Sequence, residues 1–126
     1  MQKYYKYTFK LNASHCMPQS DPHSHTFSIV LFIKDNSDSF SKYNLVEDRI
    51  TNYFNKFTNK ILNDTPDFKN IVPTIENMAT KFFEELSNII NKFESYELIK
   101  LELSDNILKK FMVSNKIAIG NCMNII

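Results

Sequence analysis

The chain has 126 residues, of which 43% are hydrophobic and 23% are charged, and its formal net charge at pH 7 is +1. This length and composition predict one globular domain, residues 1–126, with a single core. The mixed charges predict no nucleic-acid surface, and no apolar run approaches the 18 or so residues of a membrane span, so we expect neither partner.

Two strands are predicted at the start of the chain. Residues 5–15 alternate, with apolar side chains and finally His15 at the odd positions and polar side chains at the even ones. Residues 23–34 repeat the pattern, and His23 and His25 precede Phe27 on the apolar parity. Alternation of this kind is typical of half-buried strands, so all three histidines are expected on apolar faces.

Two helices are predicted in the middle of the chain. From Asn44 onward apolar residues recur every three or four positions as far as Ile61, and Asn44 with Glu47 forms a possible capping pair. A second apolar stripe follows Pro73 and runs to Phe93, with Thr74 as the expected N-cap.

Alternation returns in residues 96–103 and 107–115, on either side of the turn-forming residues 104–106, and predicts a closing hairpin. The order strand, strand, helix, helix, strand, strand predicts an α+β fold (ββααββ), with two helices on one face of a four-stranded, mostly antiparallel sheet. Because such a small sheet has open edges, we expect it to pair with further copies of the chain.

The three histidines of the chain all lie between residues 15 and 25. His23 and His25 are two apart on one strand and share a face, and His15 ends the strand before it. If the two strands pair as a hairpin, the three imidazoles converge. Three such ligands without a fourth protein ligand are typical of an open zinc site, although imidazole suits other divalent ions too. The alternative is that the histidines bind no metal, because an H-x-H pair alone is common.

The amino terminus lacks the basic patch and apolar block of a secretory signal, so we expect a cytoplasmic protein. The two cysteines, Cys16 and Cys122, have no framework spacing. In the cytoplasm such cysteines are expected to be free thiols.

Four segments together resemble a known family. They are FKLNASH from Phe9, HSHTFSIV from His23, LND at 62–64 and PTIENMA from Pro73. In order and spacing they resemble 6-pyruvoyl-tetrahydropterin synthase and 6-carboxytetrahydropterin synthase. The resemblance implies the tunnelling fold, zinc held by the three histidines, and a homohexamer built from two trimers. It also implies a lyase that acts on dihydroneopterin triphosphate or a related reduced pterin, toward tetrahydrobiopterin or queuosine.

The family's catalytic base is a cysteine shortly before the H-x-H pair, where this chain reads MPQSDP. Two residues are candidate bases instead. Cys16 directly follows His15 and would leave a strand on the opposite face from it, and Asp21 is a loop carboxylate.

Three residues are candidate substrate contacts. Thr74 and Glu76 match the family's helix-start motif, although capping and dipole stabilisation of the helix explain them equally well. Glu102 is the nearest residue to the family's pterin-binding glutamate, whose position falls on Leu103. Glu102 therefore has the wrong parity unless the strand contains a bulge.

The family's Asp and His proton-relay residues, in a DHK stretch, are replaced here by TNK at 58–60. Two hypotheses follow. The first is a pterin-processing zinc enzyme with a rearranged base, which we favour. The second is a zinc- and pterin-binding protein without the usual activity.

Overall fold

The computed structural model describes residues 1–37 and 43–115, so Cys122 lies outside the described residues. Its elements are β1 (Lys3–His15), β2 (His23–Asp35), α1 (Tyr43–Asn55), α2 (Ile75–Ile90), β3 (Tyr96–Ser104) and β4 (Phe111–Ser114). Two short 3-10 helices, Leu62–Asp64 and Pro66–Phe68, connect α1 to α2. The strands form one antiparallel sheet in the order β1-β2-β3-β4. The predicted α+β class is confirmed.

The long β1–β2 hairpin determines which side chains share a face. Its register pairs His15 with His23, Ala13 with His25, and Leu11 with Phe27. Leu11, Ala13 and Phe27 belong to the main core, which also contains the apolar stripes of both helices. The histidine end of the hairpin therefore continues the sheet face that the helices cover.

A bulge interrupts the pairing of β2 with β3. Phe32 pairs with Lys100 and Ile33 with Leu98, so Ile99 has no partner opposite it. As a result Leu98 and Leu101 both lie in the main core, although they are three residues apart. Ile99 belongs instead to a small cluster on the other face of the sheet.

Aromatic rings form the centre of the main core. The Phe82 ring of α2 packs edge-on against Phe54 and Phe68, with centroids 5.3 and 6.0 Å apart, and it also contacts Phe57 at 5.4 Å. Burial of such side chains is the largest favourable contribution to folding. The two helices and the 3-10 segments are thus fixed to the sheet that carries the histidines.

Helix α1 differs from its prediction at both ends. It begins at Tyr43, so Asn44 lies within the first turn and is not its N-cap. It ends at Asn55, because the Phe57 and Thr58 amides both bond to the Phe54 carbonyl and close a turn. Phe57 remains fully buried in spite of this, which explains why the apolar pattern continued beyond the helix.

The last strand is shorter than predicted. Residues 107–110 are not in a strand, and Ile107 and Leu108 are 97% and 89% exposed.

No helix within residues 1–37 and 43–115 is long and apolar enough to cross a membrane.

Candidate metal centre

Hairpin pairing brings the three histidines together at the end of the sheet. The ring centroid of His15 lies 4.5 Å from that of His23 and 5.1 Å from that of His25, and the last two are 4.8 Å apart. One nitrogen from each ring can be chosen so that all three lie within 4.8 Å of one another. In the described part of the chain, no cysteine, aspartate or glutamate joins this group. The predicted convergence of the three imidazoles is present.

His15 is the most constrained of the three. It is 4% exposed and packs against the Phe27 ring, with centroids 5.3 Å apart. Its Nδ1 lies 2.8 Å from the Pro73 carbonyl oxygen, which can only accept, so we assign the proton to Nδ1. The lone pair is then on Nε2, and the ring orientation is fixed in the way that is usual for metal-ligating histidines.

Burial lowers the pKa of His15 below its usual value of 6.5, and the Pro73 carbonyl opposes this effect only in part. The nearby His23 and His25 lower the pKa further, because like charges repel. His15 is therefore neutral at neutral pH, and the neutral imidazole is the form that binds metal ions.

The start of α2 places the Pro73 carbonyl. The Thr74 hydroxyl accepts a hydrogen bond from the Asn77 amide at 3.0 Å, which confirms Thr74 as the N-cap. The Asn77 side chain also donates to the Val72 carbonyl at 2.9 Å. The PTIEN segment thus fixes the turn whose carbonyl holds His15. The bond between His15 and Pro73 joins residues 58 apart, and sequence reasoning did not find it.

Asn63 is a second residue whose role the sequence did not indicate. Its side chain accepts from the Cys16 amide at 3.0 Å and donates to the Cys16 carbonyl at 2.9 Å. Both backbone groups directly after His15 are therefore bound by one amide. The Ser14 amide also bonds to the Lys60 carbonyl at 2.9 Å. The 60–63 segment thus anchors the end of β1, and the LND motif was the only signal for it.

Cys16 and Asp21, the two candidate bases, lie in the connection between the hairpin strands. Cys16 is partly buried, and Asp21 is exposed, two residues before His23. A turn between Met17 and Ser20, with bonds of 3.1 and 2.9 Å, gives this connection its shape.

The two candidate glutamates lie on different sides of the sheet. Glu76 is exposed in the first turn of α2 and lines, with Ser104 and Asp105, a cleft of about 160 Å³. Glu102 is 7% exposed and pairs with Val30, which belongs to the cluster on the face away from the helices. The bulge lies before Glu102 and leaves it on that face. Within this chain, Glu102 therefore does not join the histidines.

A further cleft, of about 360 Å³, borders the metal centre at His25. Its other lining residues are mostly polar, and they include Asn12, Ser14 and Asn59. Asn12 and Ser14 have the opposite parity to the histidines, so most of this cleft lies on the sheet face away from the imidazole rings.

The sequence model of the family described as 6-pyruvoyl tetrahydropterin synthase matches residues 4–114. No curated protein matches the chain significantly.

Several solved structures have the same fold. The structure of Caenorhabditis elegans 6-pyruvoyl tetrahydropterin synthase has a TM-score of 0.76 and 14% identity, over 92% of this chain and 97% of that one. An uncharacterized Wolinella succinogenes protein has a TM-score of 0.66 and 12% identity, over 92% and 99%. A catalytic-residue mutant of Plasmodium vivax 6-pyruvoyltetrahydropterin synthase has a TM-score of 0.61 and 10% identity, over 91% and 98%. At these identities the likeness shows the fold alone.

Proposed function

Because the chain belongs to the 6-pyruvoyl tetrahydropterin synthase family, we propose that it is a zinc-dependent enzyme that processes dihydroneopterin triphosphate or a related reduced pterin. The observation that carries the proposal is the convergence of His15, His23 and His25, with nitrogens within 4.8 Å of one another. A pterin-processing function follows from the family, and the zinc site and the substrate are our inference.

The donor set fits zinc. Three neutral imidazole nitrogens are the ligands of open, catalytic zinc sites, in which a water or substrate atom takes the remaining position. His15 is neutral, is oriented by the Pro73 carbonyl, and has its Nε2 available. A bound zinc ion supplies a Lewis acid that polarises a substrate oxygen and makes neighbouring protons easier to remove.

A base is then needed next to the substrate, and Asp21 is the first candidate. The residue replaced in the Plasmodium vivax mutant is a glutamate, and it is described there as catalytic. This supports a carboxylate in the role that the family gives to cysteine. Asp21 is exposed and lies two residues before His23, which makes it the first candidate for this role. Cys16 is the second candidate, but Asn63 holds its backbone at both polar groups.

Thr74 and Glu76 are the proposed substrate contacts on the helix side, beside their roles at the start of α2. Glu102 contacts the substrate only if part of the substrate binds on the sheet face away from the helices.

For the whole molecule we propose a cytoplasmic homohexamer of two trimers, since β1 and β4 are the two edges of the described sheet. Light scattering should then give six times the chain mass of 14.8 kDa.

One observation favours binding without the usual turnover as the second candidate. Thr58 and Asn59 stand where the family has its Asp and His relay, and both have structural roles here. The Thr58 hydroxyl donates to the Phe54 carbonyl at 3.1 Å, and Asn59 has a φ of 60°, which the turn after α1 requires.

The decisive experiment measures metal content and pterin turnover on the same preparation. His23→Ala is the informative variant, because His23 is exposed and its loss leaves the core intact. We expect zinc in the parent protein, a trace in His23→Ala, and loss of turnover with the metal. Ser24→Ala is the matched control, since Ser24 lies on the same strand and bonds to the Ser14 hydroxyl on the other face.

Three outcomes separate the hypotheses. Equal metal content in the parent and in His23→Ala contradicts the zinc site. Zinc with pterin-dependent thermal stabilisation but no product favours the binding hypothesis. Turnover that is lost in Asp21→Asn and kept in Cys16→Ser identifies Asp21 as the base, and the reverse identifies Cys16.

A further inference from the structure

Asp105 directly follows β3, at the end of the sheet that carries the metal centre. Burial is the main effect on the pKa of His15 and lowers it, whereas the negative charge of Asp105 raises it. Because such an effect fades over about 10 Å, the Asp105 carboxylate lies near His15. Its side chain also lines a cleft that Lys10 borders on the sheet face away from the helices. Asp105 therefore lies beside the metal centre, at the end of the sheet.

A hydrogen-bonded turn orients Asp105. The Asn106 side chain donates to one Asp105 oxygen at 2.8 Å, and its own oxygen accepts from the Leu108 amide at 2.8 Å. Asp105 is partly buried. Since an ionised carboxylate offers about four acceptor positions, the bond from Asn106 fixes Asp105 and leaves acceptor positions for a ligand.

The cleft of about 160 Å³ that Asp105 lines with Glu76 lies between the start of α2 and the β3–β4 connection, residues 105–110. Apolar side chains form one part of its lining, namely Ile75, Leu103 and Phe111. The charged part combines the two acids with Lys109 and Lys110. Such a mixture disfavours a ligand with a large charge of either sign. It suits a planar ring that carries both N–H donors and a carbonyl acceptor.

We propose that Asp105 binds the N–H edge of the substrate ring and determines specificity for that edge. This inference rests on the proposed pterin chemistry, and it assigns the ring to the cleft of about 160 Å³. A pterin carries its 2-amino group next to a ring N–H, and one carboxylate can accept both hydrogens. Ser104 and Lys109 supply donors for the ring carbonyl. Glu102 lies on the face away from the helices, so Asp105 is the acid that the end of β3 offers to this cleft.

The test is titration of the full-length protein with two fluorescent probes, neopterin and its lumazine analogue, which has a carbonyl in place of the 2-amino group. We expect the parent to prefer neopterin, because the analogue sets two acceptors against each other at Asp105. Asp105→Asn should weaken neopterin binding about tenfold and lose most of this preference, since the new amide can donate to the carbonyl. Asp105→Glu keeps the carboxylate and should keep the preference.

Two controls separate this role from general effects of charge and of the second cleft. Asp48→Asn removes an exposed acid of α1, and Lys10→Gln changes the cleft on the other face, so both should bind the probes like the parent. The zinc content of Asp105→Asn should equal that of the parent, because Asp105 is not one of the three ligands. Urea titration of each variant verifies that it is folded.

The outcomes distinguish the role of Asp105 from the proposed function. Neopterin binding by Asp105→Asn that equals binding by Asp48→Asn overturns the role of Asp105. An equal loss of affinity for both probes, or a loss of zinc, overturns it as well. A parent that prefers neopterin but holds no zinc contradicts the zinc enzyme and supports the role of Asp105. A parent that binds neither probe overturns both.

Discussion

Replacing Asn63 by alanine tests whether one side-chain amide holds the strand end that carries His15. The Asn63 amide makes two hydrogen bonds, of 3.0 and 2.9 Å, to the partly buried backbone of Cys16. Each such bond contributes about 1 kcal/mol net, so Asn63→Ala should lower the free energy of unfolding by about 2 kcal/mol. Asn63→Asp keeps the hydrogen-bond acceptor and loses the donor, so its free energy of unfolding should lie between that of Asn63→Ala and that of the parent protein.

Urea unfolding followed by far-UV circular dichroism measures this loss. The slope of the unfolding free energy against urea concentration should stay unchanged. Asn70→Ala, at an exposed position in the segment before α2, is the control and should change stability by less than about 0.5 kcal/mol. Because the anchored residue follows His15, Asn63→Ala should also weaken zinc binding. A loss of stability equal to that of Asn70→Ala would refute the anchoring role.

Three other substitutions test the elements around the site. Thr74→Ala should lower the free energy of unfolding by about 1 kcal/mol, because it removes the acceptor of the Asn77 amide, whereas Thr74→Ser should change it little. Thermal unfolding of both variants shows whether the hydroxyl or the size of the side chain stabilises the helix. Phe82→Ala should lower the free energy of unfolding by about 3 to 5 kcal/mol, because it leaves a cavity at the centre of the aromatic cluster. A loss of less than about 1 kcal/mol in urea unfolding would contradict the central position of this ring. Burial raises the pKa of Asp67, but its hydrogen bond and ion pair with Lys56 at 2.9 Å outweigh this, so the folded pKa lies below 3.8. The stability that this pair contributes is present above pH 3.8 and is lost as the pH falls through the pKa of Asp67 in the folded protein. When the free energy of unfolding is measured against pH, Asp67→Asn should therefore lose less stability in acid than the parent protein.

The local periods of the sequence determined most of the architecture. Alternation located β1, β2 and β3, and three-or-four spacing located both helices, since each period shows which side chains one element can bury. The same parity put the three histidines on one face, and their convergence required only that the two strands pair as a hairpin through residues 16–22. Helix α1 was predicted too long, because Phe57 is buried from a turn and contributes to the apolar pattern without being helical.

The tertiary structure alone decided how these elements support the site. The Pro73 carbonyl on His15 and the Asn63 amide on Cys16 join residues 58 and 47 positions apart. No local pattern encodes such contacts, because they depend on how α2 and the 3-10 segments pack on the sheet. The position of the bulge at Ile99 likewise comes from packing on both faces, and it left Glu102 among lysines. Periodicity is a property of neighbours in the chain, whereas register and anchoring are properties of neighbours in space.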